Sequence, residues 1–185
     1  MPRASRRSAP KPTPPPTDLL GLLQRQLAAE LLSTLQGRQH HARAQHLAAH
    51  PLGAVFLAHA NESLARADLL AARITELEAE PNFDPLTLAD RAQAPYRAAA
   101  TPIEQLLADR AALEASMSDL RGALPALEGA AATQALFDAL LVSQLLEAQE
   151  LTALLAVWET PSAAPAPTPE PTPPAQGHVP GGRIH

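Results

Sequence analysis

Proline decides where this chain can be helical. Of its 20 prolines, six fall in residues 1–16 and eight in residues 161–180. Inside a helix, proline lacks an amide hydrogen and clashes with the preceding turn, so neither end can form a long helix. The six remaining prolines leave long uninterrupted stretches between Pro16 and Pro51, Pro51 and Pro81, Pro102 and Pro125, and Pro125 and Pro161. Residues 1–16 carry Arg3, Arg6, Arg7 and Lys11 without an acid, and residues 161–185 are rich in Pro, Ala and Thr. Both offer too little apolar surface to offset the entropy of ordering. They are expected to be disordered Pro-rich tails flanking a core of residues 17–160.

Composition narrows the rest. In the core stand nine arginines, no lysine and eighteen acids, a net charge of −9 against −5 for all 185 residues. The basic charge is therefore segregated at the N-terminus. Hydrophobic residues reach 46% but aromatics only 3%. Most of the apolar count is Ala and Leu, the composition of packed helices. There is no cysteine, which removes disulfides, thiolate metal sites and cysteine nucleophiles. No uninterrupted apolar run reaches the ~18–20 residues of a membrane span. Arg6-Arg7 is followed by Ser8-Ala9-Pro10-Lys11-Pro12 rather than an apolar stretch, which is not an export signal. The expectation is a soluble, cytoplasmic, all-α protein with no membrane partner.

Periodicity places four long helices near residues 18–47, 52–79, 102–124 and 132–157. In the first, Leu19, Leu20, Leu23, Leu27, Leu31 and Leu35 recur at three- and four-residue steps behind Asp18 as N-cap. Thr101 and Glu104 around Pro102 have the spacing of a capping box. Asp84-Pro85-Leu86-Thr87-Leu88-Ala89 suggests a short helix with Asp84 as its cap. The first and third joints are short, so each joins an antiparallel pair. The middle joint, roughly Pro81–Thr101, is long. A 25-residue helix is ~38 Å at 1.5 Å per residue, and twenty extended residues reach ~65 Å. The joint can therefore run the length of the bundle and link two antiparallel hairpins by one long crossover.

The chain also resembles a family, the ferritin-like proteins of the Dps and bacterioferritin type. Ala67-Asp68-Leu69-Leu70-Ala71-Ala72-Arg73-Ile74, then Leu77 and Glu80-Pro81-Asn82-Phe83-Asp84-Pro85, resemble the end of that family's second helix and the start of its crossover. The surroundings of Glu30, Gln36 and His40 are similar to its first helix, and Thr133 to Leu151 to its fourth. The resemblance implies a ferritin-like four-helix bundle of the iron-storage and stress-protection lineage. It also implies a di-iron centre built from a single Glu on each of two helices and a Glu-x-x-His on each of the others. The single-Glu positions fall on Glu30 and Glu114. The second helix's motif falls on Ser63 and Arg66, and the fourth helix's on Gln144 and Glu147. Both histidines are replaced, one of them by a cation. Ferroxidase activity is therefore expected to be lost or weakened, with residual weak iron binding assigned to Glu30, Glu62, Glu114 and Glu147. The position of a haem-ligating Met falls on Leu64, so haem is not supported.

Arg66 has two readings. It lies among Glu30, Glu114 and Glu147 as a substitute for the metal charge, or it points to solvent. His40, His41, His46, His50 and His59 gather around the first hairpin, but no Glu accompanies His46 and His50 at ligand spacing. Phosphate-binding loops and nucleophile elbows are absent. Three functions compete: an iron-handling protein, a structural or partner-binding subunit in a homo-oligomer or a mixed oligomer with a competent ferritin-like subunit, and DNA binding through Arg3, Arg6, Arg7 and Lys11. The last would need many arms acting together, against the repulsion of an acidic core.

Overall fold

The structure is a computed structural model that describes residues 19–47, 49–92 and 96–159. The expected tails, with Arg3, Arg6, Arg7, Lys11 and the Asp18 cap, lie outside the described residues. Five helices follow one another: α1 (Leu19–His46), α2 (His50–Glu76), α3 (Leu88–Ala92), α4 (Pro102–Ala123) and α5 (Ala131–Glu159), and the described residues contain no strand. The α1–α2 and α4–α5 hairpins are the expected antiparallel pairs. They meet where α1 faces α4 and α2 faces α5, while α3 packs on α1. This is the all-α bundle with a long crossover.

Local chemistry explains most boundaries. Pro51 stands in the first turn of α2, where a missing amide hydrogen costs nothing. At α4 the Thr101 hydroxyl accepts from the Glu104 amide while the Glu104 carboxylate accepts from the Thr101 amide, a complete capping box. The Thr101 amide, and after it the Ala100 amide, hold the Glu104 carboxyl below its usual range. Pro125 ends α4 in a short 3-10 turn, Leu124–Leu127. Gly129 then turns the chain into α5 with a φ of 89°, a conformation that favours glycine.

Two expectations need correction. The short crossover helix begins at Leu88, not at Pro85 behind an Asp84 cap. The Asp84 carboxylate accepts from the Leu86 amide and the Thr87 hydroxyl, 3.0 and 3.2 Å away. That local turn competes with helix for the same backbone groups. The second concerns hydropathy. No unbroken apolar run occurs, yet the stretch Ala131–Trp158 is long and apolar enough on average to cross a membrane. Averaging tolerates Gln144, Glu147 and Glu150. The inner face of α5 belongs to the bundle core.

Besides a small apolar cluster of Ala28, Leu32, Leu88 and Ala92, where α3 packs on α1, that core has two large apolar parts. One gathers Leu23, Leu27, Leu70, Ile74, Leu120, Leu127, Phe137 and Leu140. The other gathers Leu52, Phe56, Leu106, Leu113, Met117, Leu151 and Leu155. Between them the buried side chains are polar: Gln26, Glu30, Ser63, Arg66, Ser116, Gln144 and Glu147. Gly37 lets α1 and α2 approach closely there. A Cβ on it would lie 3.0 Å from the Ala60 Cβ and 3.1 Å from the Phe56 carbonyl oxygen.

Candidate functional site

The polar waist is assembled by helical spacing. Gln26 and Glu30 are four residues apart on α1, Ser63 and Arg66 three apart on α2, and Gln144 and Glu147 three apart on α5. Each pair therefore shares one helix face. Ser116 supplies the α4 side.

Arg66 lies at the centre, 4% exposed, between Glu30 at 2% and Glu147 at 7%. Its Nε donates to Glu30 Oε2 at 3.0 Å. Nη1 donates to Ser143 Oγ at 2.9 Å and to Glu147 Oε1. Nη2 donates to Ser63 Oγ at 3.0 Å and to Glu147 Oε2 at 3.4 Å. A guanidinium has five N–H groups, and five acceptors receive them here. Glu30 Oε1 accepts from Gln144 Nε2 at 2.6 Å and from Gln26 Nε2 at 3.3 Å. Ser116 Oγ joins the same two amides, 2.8 and 2.7 Å away.

Burial raises Glu30 above the usual carboxylate range, because water no longer solvates its charge. The Arg66 charge and the hydrogen bonds from Arg66 and Gln144 pull it back only in part. Burial alone would lower Arg66, but Glu30 and Glu147 together outweigh that and hold it above its ordinary value. Arg66 is therefore a permanent cation in the waist.

A second polar layer lies toward the α1–α2 turn. His40 is fully buried, edge-on to the Phe56 ring with centroids 5.5 Å apart. Its Nδ1 lies 2.9 Å from Asp109 Oδ1, though not aligned for a hydrogen bond, and its Nε2 faces the Arg97 carbonyl at 3.3 Å. Gln36 donates to Asp109 and accepts from the Arg97 amide, tying the crossover to the bundle. His59 meets Glu150 at 2.9 Å. A cavity of about 20 Å³, lined by Ser33, Gln36, His59, Ser63, Asp109 and Glu147 among others, has room for one water.

Of the residues singled out in the sequence, the structure brings Glu30, Arg66 and Glu147 together and leaves two outside. Glu114 projects from α4 with its side chain 61% exposed and pairs with Arg110 at 3.4 Å. Two residues from Ser116, it lies about 200° around the helix and faces outward. Glu62 is exposed on α2. Gln26, Ser116 and Ser143 belong to the network but escaped the sequence reading. The signal for Gln26 was its four-residue offset from Glu30 within a leucine stripe. Ser116 carried none. His41 bonds the Gly53 carbonyl and His50 bonds Gln45, so these histidines make separate local contacts.

The donor set decides what this waist can hold. Among the described residues no three His, Asp or Glu side chains are grouped to hold a metal ion. Both Glu30 oxygens already accept hydrogens, and the Arg66 guanidinium occupies the space between Glu30 and Glu147. Carboxylate and imidazole suit iron; a cation and two amides do not. The residues present do not fit a dinuclear iron centre.

Two paired hairpins, one crossover and a polar waist define a ferritin-like bundle. The model of the ferritin-like domain family matches residues 20–160, and the chain belongs to that family. Among solved structures it is similar to the bacterioferritin of Rhodobacter capsulatus, described with a metal-free dinuclear site and haem iron. The two are 21% identical, with a TM-score of 0.68 over 77% of this chain and 87% of that one, which is a likeness of fold. No curated protein matches the chain by sequence.

Proposed function

We propose that this chain is a ferritin-fold subunit whose centre does not oxidise iron, and that it serves as a structural or partner-binding member of an assembly. One observation carries the reading: Arg66 sits between Glu30 and Glu147 with every N–H group accepted. A fixed cation at the meeting point of the four helices repels a metal ion. It also occupies the carboxylates that would bind one. The positive charge that bound iron would bring is already present and does not dissociate, since arginine stays protonated even when desolvated. The fold then no longer depends on metal loading. The resemblance to the Dps and bacterioferritin type supports a descent from iron-handling proteins, and Ser63, Arg66, Gln144 and Glu147, at the positions that resemblance assigns to ligands, supply no such ligand set.

Anaerobic Fe(II) titration followed by exposure to oxygen, observed in the near ultraviolet, tests this. The expected result is no saturable Fe(II) binding and no oxidation faster than that of free iron in the same buffer. Rapid oxidation at a fixed number of irons per chain would overturn it.

A further inference from the structure

The two hairpins do not close on each other everywhere. Where α1 passes α4, toward the end of the bundle at which α1 begins, they leave a cavity of about 350 Å³. Its origin is local. From α1 it is lined by Leu22, Gln26 and Ala29, at steps of four and three, and from α4 by Asp119, Gly122 and Ala123. Each set shares one helix face. Alanine and glycine at the facing positions are too small to fill the space between two helices. The buried side chains of Leu120 and Phe137 form an apolar floor.

Three features separate this cavity from a packing fault. Gly37 has close neighbours and Gly129 a positive φ, but Gly122 has neither: a Cβ there would meet nothing within 4 Å. Glycine in a helix is unfavourable relative to alanine, so what Gly122 contributes is an open wall. Gln26 is only 5% exposed. Its Nε2 is spent on Glu30 and Ser116, which leaves its Oε1 as a buried acceptor on the cavity side without a donor, an unfavourable state unless something supplies one. Arg25 and Asp119 line the same cavity from opposite helices, yet among the described residues neither forms an ion pair, with the other or with a third group.

We propose that this cavity binds a small zwitterion with an apolar body, an α-amino acid of the phenylalanine or leucine class. Its carboxylate lies on Arg25, its ammonium between Asp119 and the Gln26 Oε1, and its side chain on Leu22, Leu120 and Phe137. Each feature selects this class. An unpaired cation and an unpaired acid on one cavity call for a ligand carrying both charges side by side. The Gln26 oxygen calls for a donor, which an ammonium supplies. The apolar floor calls for a hydrocarbon. A metal ion would find a single carboxylate here, and a phosphate ester would meet Asp119 as a like charge. The volume lies within the range of small-molecule sites. Because α1, α4 and α5 all contribute to the wall, an occupant ties the two hairpins together, and through Gln26 it touches the network of the waist.

The proposal does not depend on whether the chain handles iron. Isothermal titration of the full chain with L-phenylalanine is expected to give saturable binding at one site per chain, and the melting temperature should rise with its concentration. Phenylacetate lacks the ammonium and phenethylamine the carboxylate. Each should bind about tenfold more weakly than L-phenylalanine, the loss of one charge-assisted hydrogen bond. Arg25→Gln should weaken L-phenylalanine by a similar factor and leave phenethylamine as it was. Asp119→Asn should do the same and leave phenylacetate as it was. Gly122→Leu sends a side chain into the open space. It should abolish binding while the helical circular dichroism and the melting temperature of the free chain do not fall. Binding of L-phenylalanine that survives Gly122→Leu would overturn the location. Analogues that bind as tightly as L-phenylalanine, or losses in Arg25→Gln and Asp119→Asn that ignore which charge the analogue carries, would overturn the zwitterion. No saturable heat with L-phenylalanine or L-leucine up to ~10 mM, where even a weak site would begin to fill, would overturn the site itself.

Discussion

The two ends of the bundle and its waist are held together by opposite means. At the ends, Leu23, Leu70 and Phe137, or Phe56, Leu106 and Leu151, exclude water and interlock. Any one of them can be trimmed at the cost of a cavity, because apolar contacts are many and individually weak. At the waist, three charged and several neutral polar groups are equally buried but hold one another in one connected network, in which the Gln144 Oε1 is left without a hydrogen-bond partner. Such a set is costly when incomplete: each member removed leaves partners desolvated without compensation. The ends thus supply stability, whereas the waist supplies a condition on the alignment of all four long helices.

The largest expected effect follows from that contrast. Arg66→Ala leaves Glu30 and Glu147 buried without their cation, and breaking a buried pair in this way typically costs ~3–5 kcal/mol. Thermal and denaturant unfolding of the variant should show that loss. The sharper comparison is Arg66→Met combined with Glu30→Gln and Glu147→Gln. Replacing a whole buried ionic group is often neutral, so the triple variant should be more stable than Arg66→Ala alone. A triple variant that loses the sum of its single losses would show that the waist behaves like the apolar ends, by independent contacts.

The waist was also where sequence reading reached furthest and then failed. The helices, their pairing and the crossover were legible from proline placement and leucine periodicity, because both act locally or over one helix face. Glu30, Arg66 and Glu147 were legible only through the family resemblance, which supplies a register between helices. Periodicity within α4 could not decide between Glu114 and Ser116. That helix is apolar on no sharply bounded stripe, and its rotation is fixed by packing against α5 and α1. Asp84 misled for a related reason: a cap and an Asx-type turn use the same side chain, and the choice lies with the backbone beyond it.

Acidity gives a smaller and directional test. Burial raises Glu30 above its ordinary value of 4.5. Between that value and the raised one, the folded chain holds a proton that the unfolded chain has released. Stability from this group therefore falls as pH rises through the window, and is greatest below it. Glu30→Gln has no such proton. The stability difference, wild type minus Glu30→Gln, should be larger near about pH 4.5 than near about pH 8. Denaturant unfolding of both proteins at the two pH values measures it, and the other titrating groups cancel to first order. A difference that grows toward alkaline pH would mean that Arg66 outweighs desolvation at Glu30.

The smallest expected effects separate two neighbours on α4 and so locate the edge of the waist. Ser116 Oγ receives the side-chain amides of Gln26 and Gln144. Ser116→Ala removes that acceptor and hardly changes volume, leaving two buried amides short of a partner. Gln26 and Gln144 both retain Glu30 Oε1, which limits the loss to about 1–2 kcal/mol, the lower part of the range for a buried unsatisfied group. Glu114, with 61% of its side chain exposed, meets only Arg110 across 3.4 Å. An exposed pair of this kind contributes little, since water and salt already screen it. Glu114→Ala should leave the melting temperature where it was, in low salt and in high. The pair of variants turns on the rotation of one helix. If Glu114→Ala proves the more damaging, α4 is turned so that Glu114 rather than Ser116 faces Glu30, and the four-helix register described here is wrong by two residues.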